Sequence, residues 1–330
     1  MIKLISLLIK IILFGLLILT AILSLGTLFW KSYPLELLSN FRVYYLLLAG
    51  AIAIACSIFP TKGFWTKLIL YCSLGLIALN SVWIVPWYLP NSQQGSGNSI
   101  RVLTFNINIL NNDWDEIAKS IRTIKPNVAT ILESSIETKE ELSQRLNDLL
   151  PFVYRTSGGG VTIFSQFPLI SPQSKTFNNG TILVTSLQVE QTRIKLIAAH
   201  PSAPLHPQFF NRRNGLLKEI TTYLQQQEKK SLIFLGDLNL TPWSPHYSQL
   251  LLNTGLHNTR LGFGIEPSWF EPTTYYPDYI NLIAPLVKIP IDHIFVSKDI
   301  KVSDCQTKQA ANADHRMLWS DLVPLRGSNK

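Results

Sequence analysis

The first ninety residues alternate long apolar stretches with short polar breaks. Runs without a charged residue cover residues 11–30, 43–60 and 68–89. About 20 apolar residues in a helix span the hydrocarbon core of a bilayer, and helices buried in a globular core seldom run this long without a charge. The pattern therefore predicts a membrane anchor over residues 1–90, with transmembrane helices at about 11–30, 43–60 and 68–89.

A polar segment follows the anchor. Residues 91–99 read NSQQGSGNS, which is rich in Gly and Ser and has no apolar periodicity. Such a segment is typical of a flexible linker. We expect it to separate the anchor from a second domain over residues 100–326.

The second domain alternates short apolar runs with amphipathic stretches, a pattern that predicts one α/β domain. The three predicted helices are Trp114–Ile124, Glu137–Leu150 and Phe209–Gln226. The predicted strands are Ile100–Asn108, Asn127–Leu132, Val161–Ser165, a hairpin of Thr181–Val189 with Thr192–Ala199, Ser231–Leu235, Ile289–Ser297 and Met317–Val323.

The charge distribution separates the two parts of the chain. Charged residues make up 15% of the chain, against about 25% in typical soluble domains. Residues 1–100 hold 6 Lys or Arg and 1 acid, whereas residues 101–330 hold 23 and 20. This excludes a disordered chain and argues against a simple cytosolic enzyme. Because the second domain is nearly neutral, the basic pI gives little support to nucleic-acid binding.

The basic residues beside the apolar runs predict the orientation. Lys3, Lys10, Lys62 and Lys67 flank one side of the predicted membrane, where positive charge favours the cytoplasm. We therefore expect a multi-pass protein of the cell membrane with its second domain on the non-cytoplasmic side. If residues 43–60 were only re-entrant, the side would invert. Within the third run, Asn80 is expected to form a hydrogen bond between helices.

Polar residues recur where predicted strands end or begin. Loops at strand ends converge on one rim of an α/β domain, so these side chains are expected to lie together. Any one of them alone is an ordinary turn or cap, but the whole set is not explained in that way. The set is Asn106, Glu133, His200, Asp237, Asn239, Asp292, Asp314 and His315.

The order of the surrounding motifs resembles the endonuclease/exonuclease/phosphatase superfamily, which includes DNase I-like nucleases, apurinic endonucleases, inositol-phosphate phosphatases and neutral sphingomyelinases. The motifs are TFNIN, ILES, HPSAP, GDLNLTPWS, PIDHIFVS and ADHR, and they cover nearly the whole second domain. The resemblance implies a DNase I-like four-layer α/β sandwich, with two packed β-sheets flanked by helices, behind the N-terminal transmembrane helices.

The resemblance also implies a metal site. Glu133 offers a hard carboxylate of the kind that Mg²⁺ prefers, and it corresponds to the metal ligand of the family, with Asn106 nearby. Asp314 is expected beside the metal or beside a histidine. Magnesium is the expected ion and manganese an alternative. A zinc site is a second alternative, because His200, Asp237, His293 and His315 are types of residue that zinc binds.

The remaining residues correspond to acid–base groups of the family. The resemblance implies that Asp237 and Asn239 contact the phosphate and the attacking water. His315, oriented by Asp292, is expected to exchange a proton, and either His315 or Asp237 is the base. His200 is expected to assist the leaving oxygen, although the sequence does not identify the carboxylate that pairs with it.

Three further residues are less informative. His293 should face away from Asp292 in an extended strand and serve in packing. Arg212 and Arg213 either contact a phosphate or lipid head group or lie on a solvated helix face.

Together these features predict a membrane-anchored, metal-dependent phosphoesterase. Its expected partners are the lipid bilayer and a phosphoester substrate, either a lipid head group or a nucleic acid. No protein partner is predicted. The alternative is a non-catalytic membrane receptor or scaffold on the same fold, because a fold does not determine function.

Overall fold

The computed structural model describes residues 2–58, 63–90, 95, 99–310 and 312–324. The chain divides into two compact units. The helical unit comprises Met1–Pro86 and Thr241–Ser248, and the α/β unit comprises Trp87–Leu240 and Gln249–Lys330. Most of the predicted linker, residues 91–99, lies outside the described residues, so the domain boundaries stay predictions.

The helical unit contains helices α1 (Ile2–Gly26), α2 (Arg42–Ile58) and α3 (Phe64–Ile84), with a 3-10 helix at Leu35–Phe41 before α2. Three helical segments are long and apolar enough to cross a membrane, namely Leu4–Gly26, Leu35–Ile58 and Phe64–Tyr88. Each begins before its predicted range, because we limited the predicted ranges to charge-free runs. The helices instead continue through Lys10, Arg42 and Lys67.

A buried polar cluster links these helices. The Arg42 guanidinium donates to Asn80 Oδ1 at 3.2 Å and to Thr27 Oγ1 at 2.8 Å. Asn80 Nδ2 donates in turn to Ser24 Oγ at 3.0 Å. The expected interhelical hydrogen bond of Asn80 is therefore present. Arg42 is tolerated within an apolar unit because its charge is buried together with acceptors.

The α/β unit contains two six-stranded sheets. The strands are β1 Ile100–Asn106, β2 Val128–Leu132, β3 Phe152–Arg155, β4 Thr162–Ser165, β5 Leu169–Phe177, β6 Gly180–Val189, β7 Thr192–Ala198, β8 Leu232–Asp237, β9 His257–Asn258, β10 Asp292–Val296, β11 Ile300–Gln309 and β12 Arg316–Pro324. The first sheet has the order β11-β12-β1-β2-β4-β3 and the second the order β5-β6-β7-β8-β10-β9.

The two sheets pack face to face, and helices cover them. Alternation along β1 explains the layers, because Val102 lies in the core between the sheets, whereas Leu103 and Phe105 pack on the helical side. The predicted four-layer sandwich is thus confirmed. The helices are α4 Trp114–Ile124, α5 Ile136–Leu146, α6 Pro207–Gln225, α7 Pro245–Thr254 and α8 Asp278–Ile283.

The strands that the sequence pattern did not predict are the four edges of the sheets. They are β3, β5, β9 and β11. Residues of β5 are intermediate or exposed throughout, so this strand has no apolar run to recognise. The interior strands are buried and were all predicted, with small differences in their ends.

At Gly236, next to Asp237 in β8, the neighbouring backbone leaves no room for a side chain. Its φ is +143°, and a Cβ atom there would lie 1.9 Å from the carbonyl oxygen of Ala199. Only glycine fits such an approach. The contact holds the end of β8 close against the chain that continues from β7.

We expect Gly236→Ala to lower the free energy of unfolding by about 3 kcal/mol or more, from steric overlap and an unfavourable φ together. The matched control is Gly255→Ala. Gly255 also has a positive φ, +69°, but its Cβ would meet nothing within 4 Å. Denaturant unfolding of the full chain in detergent measures both variants. Equal losses in the two variants would show that the close approach to Ala199 is unimportant.

Candidate active site

The ends of β1 and β2 bring the first two site residues together. The strands are parallel and pair Asn106 with Leu132, so the residues after them emerge at one edge of the sheet. Asn106 Nδ2 lies 3.0 Å from Glu133 Oε1. Glu133 Oε2 accepts a hydrogen bond of 2.9 Å from the backbone N–H of Ile109. The glutamate is therefore fixed through both of its oxygens.

The second sheet supplies the residues that face Asn106 and Glu133. Strands β7 and β8 are parallel, and β10 lies antiparallel to β8 with Asp292 opposite Asp237. His200, just beyond β7, places Nε2 3.6 Å from Asp237 Oδ2 and 3.8 Å from Glu133 Oε1. The two sheets thus contribute to one site, and both carboxylates are neighbours of His200.

Asn106 occupies the centre of this arrangement. Its Oδ1 accepts from the backbone N–H of Asn108 at 3.0 Å, which turns Nδ2 toward the carboxylates. Nδ2 lies 3.2 Å from Asp237 Oδ2 and 3.4 Å from His315 Nε2. Asn106 therefore presents a donor to the site rather than an oxygen. Its expected role as a metal ligand stays a prediction.

His315 lies between two buried carboxylates. Its Nδ1 donates to Asp292 Oδ2 at 2.8 Å, and its Nε2 lies 3.6 Å from Asp237 Oδ2. Burial opposes protonation of the imidazole, but the negative charges of Asp292 and Asp237 outweigh this and raise the pKa of His315 to about 10. The expected His–carboxylate pair is present, and it favours the imidazolium at neutral pH.

Burial and neighbouring carboxylates also have opposite effects on the pKa of His200. Burial lowers its pKa, but the hydrogen bond and charge of Asp237, together with the charge of Glu133, raise the pKa above its ordinary value overall. The sequence did not identify a carboxylate partner for this histidine. The structure gives it two, and both belong to the predicted site.

The turn after β8 shapes the Asp237–Asn239 pair. Asn239 has a φ of +53°, and its backbone N–H donates to Asp237 Oδ1 at 2.8 Å. Asn239 Nδ2 donates to the carbonyl oxygen of Pro201 at 3.0 Å. Arg213 is fully buried and donates from Nη1 to the carbonyl oxygen of Asn239 at 2.8 Å. Arg213 is therefore neither solvated nor open to a ligand, and it supports the turn.

Asp314 lies beside the site among donors that the sequence analysis missed. Its Oδ1 accepts from Asn108 Nδ2 at 3.2 Å, and its Oδ2 accepts from the hydroxyl of Tyr276 at 2.9 Å. Trp269 Nε1 donates to Oδ2 at 3.3 Å. Burial raises the pKa of Tyr276, so the phenol stays protonated as a donor. Both oxygens of Asp314 are thus engaged, and metal ligation by Asp314 stays a prediction.

His293 faces away from the site, as expected. The carbonyl oxygen of Leu240 can only accept, so Nε2–H of His293 donates to it at 2.9 Å. Nδ1 then accepts from Asn258 Nδ2 at 2.9 Å. Burial lowers the pKa of His293 to about 3. Because both ring nitrogens are engaged, His293 is not available as a zinc ligand.

The donors at the centre fit a hard divalent cation. Asp237 and Asp292 each place a carboxylate oxygen within 4.8 Å of the other and of a ring nitrogen of His315, and the imidazolium of His315 is a hydrogen-bond donor rather than a ligand. Asp292 Oδ1 is buried and accepts no hydrogen bond from the part of the chain that the structure describes. The Glu133 side chain is 27% exposed, whereas that of Asp237 is 1% exposed, so Glu133 is the more accessible of these two carboxylates. Carboxylate oxygens are preferred ligands of Mg²⁺.

Comparison with known proteins agrees with this arrangement. A model of the Endonuclease/Exonuclease/phosphatase family matches residues 103–320. No curated protein sequence matches the chain significantly.

Three solved structures illustrate the likeness of fold. Sphingomyelinase C from Streptomyces griseocarneus is 15% identical, with 68% of this chain and 99% of that chain covered and a TM-score of 0.52. A mutant of beta toxin from Staphylococcus aureus with bound magnesium ions is 14% identical, covering 68% and 99%, with a TM-score of 0.51. D. rerio TDP2, complexed with single strand DNA product, is 12% identical, covering 69% and 100%, with a TM-score of 0.53. At these identities the likeness shows the fold.

The neutral state of His293 makes a prediction about stability and pH. Its folded pKa of about 3 lies below the ordinary 6.5, so between these values the unfolded chain binds more protons. The stabilisation is complete above pH 6.5 and is lost as pH falls toward 3. We expect His293→Gln to cost about 1–3 kcal/mol at pH 7, because two buried hydrogen bonds are disturbed. The cost should shrink on going to pH 4.5.

Thermal or denaturant unfolding of the full chain from pH 7.5 to pH 4.5 measures this difference. His206→Gln is the matched control, because His206 is partly exposed and makes no capping hydrogen bond to α6. A cost of His293→Gln that stays constant with pH would contradict a neutral buried imidazole.

Proposed function

The chain belongs to the endonuclease/exonuclease/phosphatase family, and on that premise we propose that it is a membrane-anchored phosphoesterase that depends on a divalent metal ion. Members of this family hydrolyse phosphate esters. The observation that carries the proposal is the convergence of Asn106, Glu133, His200, Asp237 and His315 at one edge of the sandwich. A set of two carboxylates, two imidazoles and an amide donor fits hydrolysis of a phosphoester.

Glu133 is the residue that we propose to hold the ion, with Asn106 beside it. Magnesium suits its carboxylate oxygens best, and manganese is the alternative. The beta toxin structure with magnesium ions supports this choice. When bound, such an ion polarises a phosphoryl oxygen and makes water more acidic. We assign Asp314 to positioning, since its oxygens already accept hydrogen bonds from Asn108, Tyr276 and Trp269.

The proton-transfer roles follow from the two raised histidine pKa values. A protonated His315 presents Nε2–H toward a phosphoryl oxygen, and Asp292 holds the ring in place through Nδ1. A protonated His200 donates to the departing oxygen. The group left to accept the proton of the attacking water is the Asp237 carboxylate, with Asn239 orienting that water. Because His315 already carries a proton, we assign Asp237 rather than His315 as the base.

Anchoring in the cell membrane is part of the same proposal. The supporting observation is that three helical segments are long and apolar enough to span a bilayer. The distribution of Lys and Arg around them favours a multi-pass topology with the α/β unit on the non-cytoplasmic side.

We expect Glu133→Gln to lower kcat/KM on a soluble phosphodiester by about 100-fold or more, because the ligand charge for the metal is lost while the shape is kept. Hydrolysis of bis-p-nitrophenyl phosphate by the full chain, titrated with Mg²⁺, measures this loss. The matched control is Glu137→Gln, since Glu137 is an exposed residue of the first turn of α5. Unchanged Mg²⁺-dependent turnover in Glu133→Gln would remove this residue from the site.

A second prediction concerns the alkaline limb of activity. Asp292 raises the pKa of His315, so Asp292→Asn should lower that pKa and deprotonate His315 at a lower pH. We expect the alkaline limb of the kcat/KM profile to move toward neutral pH, with a loss of about 10-fold or more at pH 8. Asp148→Asn is the control, because this side chain is 69% exposed in a surface ion pair. An alkaline limb that does not move would show that protonated His315 is not required.

A further inference from the structure

Exposed apolar side chains are concentrated near the proposed site. In the described part of the α/β unit, most of the large apolar side chains that are exposed lie on residues 107–112, 201–211 and 274–287. We call these three segments the apolar rim. Its most exposed side chains are Ile109 (58%), Leu110 (61%), Leu205 (78%), Tyr279 (70%), Leu282 (77%) and Leu286 (69%).

Each segment of the apolar rim is joined to the site by hydrogen bonds. Ile109 donates its backbone N–H to Glu133. The second segment follows His200 directly, and its Pro201 carbonyl accepts from Asn239. The third segment contains Tyr276, which donates to Asp314. The three segments that carry the exposed apolar side chains therefore adjoin the polar groups at which a phosphoester would react.

Helix α8 is held in this position by its own polar contacts. Asn281 Nδ2 donates to the carbonyl oxygen of Thr273 at 2.7 Å and to that of Tyr276 at 3.2 Å. The helix has no buried residue. Leu282 is thus exposed on an anchored helix and covers no core, and Leu286, in the 3-10 turn Ala284–Leu286 that follows, is exposed as well.

The charge of the apolar rim restricts what it can contact. The three segments contain no Lys or Arg and one acid, Asp278. A nucleic acid binds through many contacts of Lys and Arg with its phosphates, so this rim does not suit a polyanion. A strongly anionic lipid surface is disfavoured for the same reason. Exposed apolar side chains around a polar centre instead match a surface that is apolar inside and carries no net charge.

We propose that the apolar rim docks on a zwitterionic lipid surface, and that the phosphoester cleaved at the site belongs to a lipid head group of that surface. The substrate class rests on the proposed function. The occupant is a bilayer because three helical segments able to span one precede the unit. Only residues 89–99 separate the last of them from β1, a length that extends about 40 Å at most.

Docking in this way places each part of an amphipathic substrate in its preferred surroundings. The side chains of Leu282, Leu286, Ile109 and Leu110 enter the apolar layer. The phosphate stays at the level of the polar site, between His200 and His315. The lipid tails can stay in the bilayer, because the α/β unit approaches the membrane surface from the aqueous side and meets the head group there.

Fluorescence quenching tests the docking without requiring turnover. Leu282→Cys is labelled with an environment-sensitive fluorophore in the full chain carrying Cys72→Ser, since Cys72 is the exposed cysteine and Cys56 and Cys305 are buried. The protein is placed in phosphatidylcholine nanodiscs with acyl chains that are brominated or not. We expect brominated chains to reduce the fluorescence at position 282 at least twofold.

The matched control is Leu252→Cys on α7, because Leu252 is 85% exposed but lies outside the apolar rim. Its label should be quenched by less than a quarter. Equal quenching at the two positions would overturn the docking surface. It would also be overturned if a DNA oligonucleotide, and not the lipid, changed the fluorescence of the Leu282→Cys label.

Kinetics separate this inference from the proposed function. Leu282→Ser with Leu286→Ser should lower hydrolysis of a phosphodiester lipid in phosphatidylcholine nanodiscs at least 10-fold and change hydrolysis of bis-p-nitrophenyl phosphate less than twofold. Leu252→Ser should change neither. If the unmodified chain cleaves the soluble ester and the double variant keeps full activity on the lipid, the inference fails and the proposed function stands. If the unmodified chain cleaves no phosphoester, the proposed function fails, whatever the quenching shows.

Discussion

The structure of the site depends on the burial of one carboxylate. Asp237 is 1% exposed, and a charge removed from water is costly unless it is paired and hydrogen-bonded. Its oxygens meet the Asn106 amide, the Asn239 backbone N–H and two imidazoles, His200 and His315. These partners come from both sheets and from loops far apart in the chain. Compensation of the Asp237 charge is therefore what joins the strand ends into one site.

A carboxylate held in this way needs a backbone that does not move, and the turn after β8 is fixed from three directions. Gly236 permits close approach to Ala199, the Arg213 guanidinium holds the carbonyl oxygen of Asn239, and the neutral ring of His293 holds that of Leu240. They convert the short turn into a rigid support, and rigidity of this kind is what preorganised charge stabilisation requires.

The sequence pattern predicted the buried strands, but it missed residues that reach the site only through tertiary contacts. Interior strands bury most of their side chains and were predicted, whereas β5, an edge strand, has no fully buried residue. The site residues were predictable because each lies at or beside one end of a strand. Tyr276 and Trp269 were not, since they lie in an irregular segment and approach Asp314 only in the folded chain. Arg213 looked like a helix-surface residue, because a 3.6-residue period does not reveal which polar side chain meets a buried carbonyl.

The distribution of charge connects the site to the surface around it. The raised pKa of His315 places positive charge at the centre, where we propose that a single phosphate group binds. The apolar rim contains no Lys or Arg. An extended polyanion would need such cations along its whole path, so the rim does not suit one. In the proposed function, recognition of the phosphate is therefore electrostatic, whereas recognition of the surface that carries it is apolar. A substrate that satisfies both carries its charge at one end and an apolar body at the other, as a membrane lipid does.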